Sequence, residues 1–387
     1  MEKTLERERI LRLFQPFDNK KFPVKNRFVR AATWLGACDA ESGALTPEAV
    51  RRQAETAAGG AGTVISEFAY VSPEGKAATR QWGLDGERAV GEVRALARAI
   101  HDSGSKLVVQ LCHAGAARHS SYAKGLPGLS PSGIRLPQSD SGSPQMTEED
   151  IAEVCRRFAA AAKRVKEGGA DGVEIHGAHG YLFTQFLSPL FNRREDRYGG
   201  SLENRMRPLR ECYAAVREAV GADFPVWLKI SAEEGVEGGY GADEGIEAAV
   251  TLLRDGVDAV EVSSGTGYSG SAHTPSMVGI SAGESEAPFA PYARRIKADA
   301  PEGAIVALTG GLRSLQVISS LLYDGTADLF GLCRPFNAEP DLINRWAEDD
   351  ARPSACISCN ACFRTAANGI VDCPIMRDRQ EGEWDPL

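Results

Sequence analysis

No stretch of the chain strings together the roughly 18 apolar residues that a membrane-spanning helix needs. No segment is low in complexity, and no short motif repeats. Positive charge is in deficit: 44 Lys and Arg stand against 53 Asp and Glu, a formal net charge of −9. That balance argues against a broad nucleic-acid footprint, which requires a basic surface. The opening MEKTLERERILRLF lacks the apolar core and small-residue cleavage site of a secretory signal and reads as a charged helix. A cytoplasmic location without membrane or nucleic-acid partners is expected. The first strand-to-helix turn also lacks G-x-G-x-x-G, which weakens the case for an open, doubly wound dinucleotide fold.

What is present is an ordinary globular composition, 43% hydrophobic and 25% charged over 387 residues, enough for a large core without staples. Eight short, mostly apolar runs recur: FVRAAT (28–33), GTVISEF (62–68), KLVVQL (106–111), DGVEIH (171–176), PVWLKIS (225–231), DAVEVSS (258–264), AIVALTG (304–310) and ADLFGLC (327–333). Amphipathic helical stretches separate them, such as TPEAVRRQAETAA and SLENRMRPLRECYAAVREAVG. TEEDIAEVCRRFAAAAKRVKEGG opens on Thr147 as an N-cap with Asp150 three places on, and stops at Gly168–Gly169. Alternating strands and helices predict parallel strands covered by helices, and eight such units predict an α/β fold, a closed (β/α)8 TIM barrel over residues 1–350. Asp18–Asn19 lies between short apolar segments and predicts a hairpin plugging the barrel's bottom. Residues 351–387 form a short cysteine-rich extension.

A barrel of this kind carries its chemistry at the C-terminal ends of its strands. Those ends hold Ala31-Ala32-Thr33-Trp34, Glu67-Phe68, Gln110, His176, Lys229, Ser263-Ser264-Gly265, Thr309-Gly310-Gly311 and Cys333-Arg334. Gly310-Gly311 would admit a phosphate close to backbone N–H groups, with Arg334 supplying a planar donor fork; a plain turn explains the Gly pair equally well. Lys229 at a buried strand end suggests an anionic partner, the blander reading being a snorkelling side chain. Phosphate site, central cation and the Gln110 amide together suit FMN.

Two imidazoles and a phenol, His176, His179 and Tyr181, crowd into six positions past the fourth run. Two N–H donors converging on one carbonyl oxygen would stabilise a developing enolate, and Tyr181 could act as general acid. A metal pair or structural caps are the alternatives, though H-x-x-H has no evident third ligand nearby.

The stretch EIHGAHGYLFTQFLSPLFNRREDRYGGSLENRMR (174–207) closely resembles the signature of the old yellow enzyme family of FMN-dependent ene-reductases. PVKNRFVRAAT, VSPEGKAATRQWGL, VVQLCHAG and DLFGLCRPFNAEPDL support the likeness over roughly residues 10–350. The resemblance implies a TIM barrel with FMN at its mouth, reduced by NAD(P)H. It further implies that a small-molecule activated alkene, an α,β-unsaturated carbonyl compound, then receives a hydride at its β-carbon and a proton at its α-carbon. Carried over, His176 and His179 match the carbonyl clamp and Tyr181 the proton donor. Ala31, Ala32, Thr33, Trp34, Phe68, Gln110 and Lys229 match flavin-ring positions, and Gly310, Gly311, Cys333 and Arg334 the phosphate site. Trp34 stands where many relatives carry Cys or Thr, and Lys229 replaces a commoner Arg.

Nine cysteines are an odd count, and four crowd near the end: Cys356, Cys359, Cys362 and Cys373. Three at x2 spacing followed by Cys-Pro suggest a metal site, with iron–sulfur, zinc and free thiols all open. The tail resembles the branch of 2,4-dienoyl-CoA reductase and trimethylamine dehydrogenase, which implies a 4Fe-4S cluster with an electron-transfer protein as partner. Two other expectations stand beside an ene-reductase: an amine or C–N dehydrogenase on the same barrel, and a non-catalytic electron-transfer subunit. The physiological alkene, the choice of NADH or NADPH, and assembly into a homo-oligomer are open.

Overall fold

The computed structural model describes residues 2–118, 126, 128–136, 139, 142–270, 273–366 and 369–381. The outer ends of the two expected segments, Met1 and 382–387, lie outside the described residues.

Among the described residues nine strands form, all paired in parallel: β1 (Phe28–Arg30), β2 (Thr63–Ile65), β3 (Ala69–Tyr70), β4 (Lys106–Cys112), β5 (Gly172–Gly177), β6 (Val226–Ser231), β7 (Ala259–Ser263), β8 (Ile305–Thr309) and β9 (Leu329–Leu332). β1 pairs with both β2 and β9, and β2 pairs with β4. Eight strands therefore close into a barrel, each overlapping one of the eight predicted runs. The ninth, β3, is a two-residue strand against the end of β4 that the sequence pattern does not predict. It is too short to carry an alternating pattern.

Helices cover the outside as the caps predict. Thr147 and Asp150 form a reciprocal capping box at the start of the helix Glu148–Gly168, and Gly169 closes it with φ +89°. Ser201 caps Leu202–Val220, its hydroxyl accepting from Asn204 N. No helix among the described residues is long and apolar enough to cross a membrane.

The interior divides into a dry lower half and a polar upper half. Val29, Ile65, Val108, Trp227, Ala259, Ile305 and Leu329 form one apolar cluster with Phe22 and Val24. Phe22 meets Trp227 edge-on, ring centroids 5.0 Å apart. The expected hairpin is the plug: Phe17 bridges Val24 in antiparallel fashion, and Asn19 Oδ1 accepts from the backbone of Lys21 and Phe22. Two residues further along several strands, the side chains of this same inward series become Gln110, Lys229 and Glu261, because alternate residues point to one face. The polar end is thus the C-terminal end.

The tail lies across that end. Trp34 and Phe363 pack with Cys362, Ala366 and Val371. Val371 N donates to Leu35 O at 2.7 Å, and Arg52 pairs with Asp372 at 2.8 Å.

Candidate active site

A cavity of about 350 Å³ opens at the polar end. Ala31, Ala32, Thr33, Trp34, Phe68, Gln110, His176, His179, Tyr181, Lys229 and Cys333 all line it. A narrower pocket of about 60 Å³ adjoins it, lined by Gly310, Gly311, Cys333 and Arg334. Ser276, Thr309, Cys333 and Phe363 belong to both walls, so the two are one cleft with a wide and a narrow end. Of the residues singled out at the eight strand ends, Glu67, Ser264 and Gly265 do not line this cleft, and the others do.

His176 sits inside β5, beside Lys229 of β6. Its Nδ1 accepts from Ala178 N at 3.2 Å, which puts the proton of a neutral ring on Nε2. His179 adopts φ +63°, a left-handed conformation uncommon outside glycine. Ser231 Oγ holds its backbone N–H at 3.0 Å, and its Nε2 lies 2.9 Å from Ser263 Oγ. The two imidazoles meet edge to face, 5.3 Å between centroids. Tyr181 is edge-on to His176 at 4.9 Å and stacks on Phe68 at 5.7 Å. Burial, with the Lys229 charge adding to it, holds His176 well below the usual histidine range. His179 is lowered likewise by burial, then by His176 and Lys229. Burial raises the Tyr181 phenol above its ordinary value. All three are neutral near pH 7, with protons available to donate.

Under them lies a polar floor. Lys229 Nζ is 2.8 Å from Glu261 Oε1, which also accepts from Thr309 Oγ1 at 2.5 Å. Gln110 Nε2 donates to Glu174 Oε2 at 2.5 Å. Burial and then the charge of Glu261 push the Glu174 carboxyl well above the carboxylate range. Glu174 Oε1 and Glu261 Oε2 are both buried without a donor, yet the two carboxyls are in contact. A proton kept on Glu174, as its raised carboxyl favours, would give these oxygens a donor. The anionic partner expected for Lys229 is therefore a carboxylate of the protein itself. The sequence signal was a Glu at the inward-facing centre of two otherwise apolar strands.

At the narrow end, Gly310 (φ +124°) and Gly311 (φ +70°) occupy conformations that favour glycine. A Cβ would also come within 2.6 Å of Phe289 at the first and 2.5 Å of Pro288 at the second. The pair is required by packing and backbone as well as by room for a ligand. Two guanidiniums are buried here, Arg334 and Arg313, the latter passed over in the sequence. Neither forms an ion pair among the described residues, and Arg313 Nε has no partner. Burial, partly offset by other groups, lowers the Arg313 guanidinium. Glu286 accepts from the Arg313 backbone N–H, but two buried guanidiniums without an ion pair suit an anion. A wide ring-sized chamber joined to a narrow cationic pocket fits FMN.

Cys356, Cys359, Cys362 and Cys373 line one small cavity of about 20 Å³, and Arg334 lies between it and the narrow pocket. No group of three or more His, Cys, Asp or Glu among the described residues is placed to hold a metal ion. Burial holds the Cys362 thiol up at about 11. Phe363, from the short helix Ala361–Thr365, was also missed; it walls both parts of the cleft.

A (β/α)8 barrel with a ring-sized chamber and a cationic pocket at its strand ends defines a flavin-linked oxidoreductase. The chain belongs to the NADH:flavin oxidoreductase / NADH oxidase family, the old yellow enzymes, whose profile matches residues 12–352. This makes it an oxidoreductase of an FMN- and NAD(P)H-using family. An NADPH dehydrogenase of Geobacillus sp. (strain WCH70) is 35% identical over 328 residues, 85% of this chain and 91% of that protein. A solved 2-naphthoyl-CoA reductase is 28% identical with a TM-score of 0.86, covering 97% of this chain and 58% of its own. Histamine dehydrogenase from Rhizobium sp. 4-9 is 25% identical with a TM-score of 0.83, covering 97% and 53%. The chain spans little more than half the length of these two longer relatives.

Proposed function

We propose that the chain reduces the carbon–carbon double bond of α,β-unsaturated carbonyl compounds at the expense of NAD(P)H. The observation that carries this reading is the convergence of His176, His179 and Tyr181, three neutral proton-bearing groups, on the wide chamber. FMN, when bound, supplies the two-electron redox chemistry that links the nicotinamide to the alkene. His176 donates from Nε2 to the substrate carbonyl oxygen, because Nδ1 is already an acceptor. His179 supports the same oxygen, its ring steadied by Ser263. As negative charge grows on that oxygen, these fixed dipoles stabilise it without reorganising. Tyr181, held against Phe68, delivers its proton to the α-carbon. Gln110 and Lys229 would hold the polar edge of a bound flavin ring, and Ala31 to Trp34 with Phe68 would line its sides. Gly310, Gly311, Cys333, Arg334 and Arg313 hold the phosphate.

Purified protein is expected to be yellow and to release FMN on denaturation. NADH or NADPH should bleach it anaerobically, and cyclohexenone should restore the colour. Protein that stays colourless after incubation with FMN overturns the reading. Reduction by an amine, with no reoxidation by any activated alkene, replaces it with C–N dehydrogenation.

We further propose residues 351–387 as a cysteine-rich extension that takes up an iron–sulfur cluster. The support is that four thiols face one cavity and three follow x2 spacing. Likeness to the two long relatives extends over 97% of the chain. Iron, sulfide and zinc analysis of anaerobically purified protein decides between 4Fe-4S, zinc and free thiols.

A further inference from the structure

Two residues of the cysteine tail reach the guanidiniums of the narrow pocket. Arg313 Nη2 donates to Ser358 Oγ at 2.6 Å, and Arg334 Nη1 donates to Asn360 Oδ1 at 2.7 Å. Asn360 also donates from Nδ2 to Ser276 O at 2.7 Å, tying the wall shared by both parts of the cleft to the same link. Ser358 and Asn360 alternate with the cysteines, at the second position after Cys356 and the first after Cys359. Both have left-handed backbones, φ +59° and +60°, which directs these side chains back toward the barrel. Such a conformation is costly for serine and tolerable for asparagine.

The two arginines have few other anchors. The Arg313 guanidinium otherwise donates to the carbonyl of its neighbour Leu312, its backbone N–H going to Glu286 Oε2 at 2.6 Å, and the Arg334 guanidinium to Met277 O and, weakly, Ser358 O. Neither guanidinium is held by a carboxylate among the described residues. Two like charges side by side in a buried pocket repel unless an anion or fixed dipoles hold them. The tail supplies the dipoles.

We propose that Ser358 and Asn360 are positioning residues for phosphate recognition, so that the cysteine tail sets how strongly the barrel prefers FMN over riboflavin. The proposal rests on the FMN reading above. Neutral acceptors suit such a role because they orient guanidiniums without neutralising them, leaving the full charge for the phosphate. Cys356, Cys359 and Cys362 bracket the two residues, so any rearrangement of the thiols is transmitted to the phosphate pocket.

The test uses the full chain and its Ser358→Gly and Asn360→Gly variants. Glycine accepts the left-handed backbone freely, so only side-chain hydrogen bonds are lost: the acceptor for Arg313 in one variant, the acceptor for Arg334 and the bond to Ser276 O in the other. Flavin fluorescence quenching gives the Kd for FMN and for riboflavin. Each variant should bind FMN about tenfold more weakly, the loss of one hydrogen bond to a charged group, with riboflavin affinity within about twofold of the parent. Equal weakening for both flavins means that the residues merely prop the fold, and overturns the proposal. So does an unchanged preference for FMN in both variants. A parent chain that binds neither flavin overturns the FMN reading and this proposal together.

Discussion

Lys229 Nζ lies 2.8 Å from Glu261 Oε1, both side chains almost wholly buried beneath the chamber. Burial pulls the ammonium down, but the neighbouring groups, Glu261 foremost, outweigh it and hold Lys229 above its ordinary value. The pair comes from facing positions of β6 and β7. Lys229→Met would leave a buried carboxylate without its cation, at a cost of about 3–5 kcal/mol. Urea unfolding at pH 7 measures it. A loss under about 1 kcal/mol would show that the carboxylate is reached by solvent.

Glu174 gives a pH signature. Its folded-state pKa is raised, so the folded chain keeps a proton that the unfolded chain releases above about pH 4.5. The contribution to stability is complete below that pH and is lost as pH rises toward the folded value, with a slope up to about 1.4 kcal/mol per pH unit. Glu174→Gln mimics the protonated acid: its carbonyl accepts from Gln110 and its amide donates to Glu261. The variant should match the parent near pH 5 and exceed it in unfolding free energy at pH 8. A parallel pair of stability curves would contradict the protonated state.

Tyr181→Phe should slow alkene-driven reoxidation by about 100-fold, a typical share for one general acid, and leave reduction by NAD(P)H nearly unchanged. Because both histidines titrate well below 6.5 and the phenol above its usual range, the parent's reoxidation rate should be flat from about pH 6 to 9. Stopped-flow traces of the separate half-reactions show both effects. A limb near pH 6.5 would mean that an imidazole titrates there.

The plug predicts a stability effect without a site effect. Phe22→Ala removes a ring packed on Trp227 at the closed end of the barrel and should cost about 3–5 kcal/mol. Flavin affinity, measured at low denaturant, should stay within about twofold of the parent. A large change in affinity would show that the apolar lower layer transmits strain to the floor.

The strand runs, the capped helices and the crowded His176–Tyr181 stretch were legible because each is a local pattern: an apolar run, a cap, a short spacing. Glu174 and Glu261 were visible as charges in apolar strands, but their partners were not. Arg313 and Phe363 carried no signal, since nothing beside them in sequence marks a pocket. The four cysteines were legible as a cluster, whereas their placement around one small cavity beside Arg334 was not.

The sequence by itself determined eight βα units, the polar end of their inward-facing series, and the family signature. Closure and register were decided only in three dimensions. β1 must meet β9, which lies at the far end of the barrel sequence, in a register that sets Val29 against Gly331 before any chamber exists. Register then sets Lys229 beside Glu261, and the docking of the tail sets Ser358 and Asn360 against Arg313 and Arg334. Local patterns encode which face a side chain takes. Which distant side chain it meets depends on strand register and packing, and those arise only when the whole chain closes.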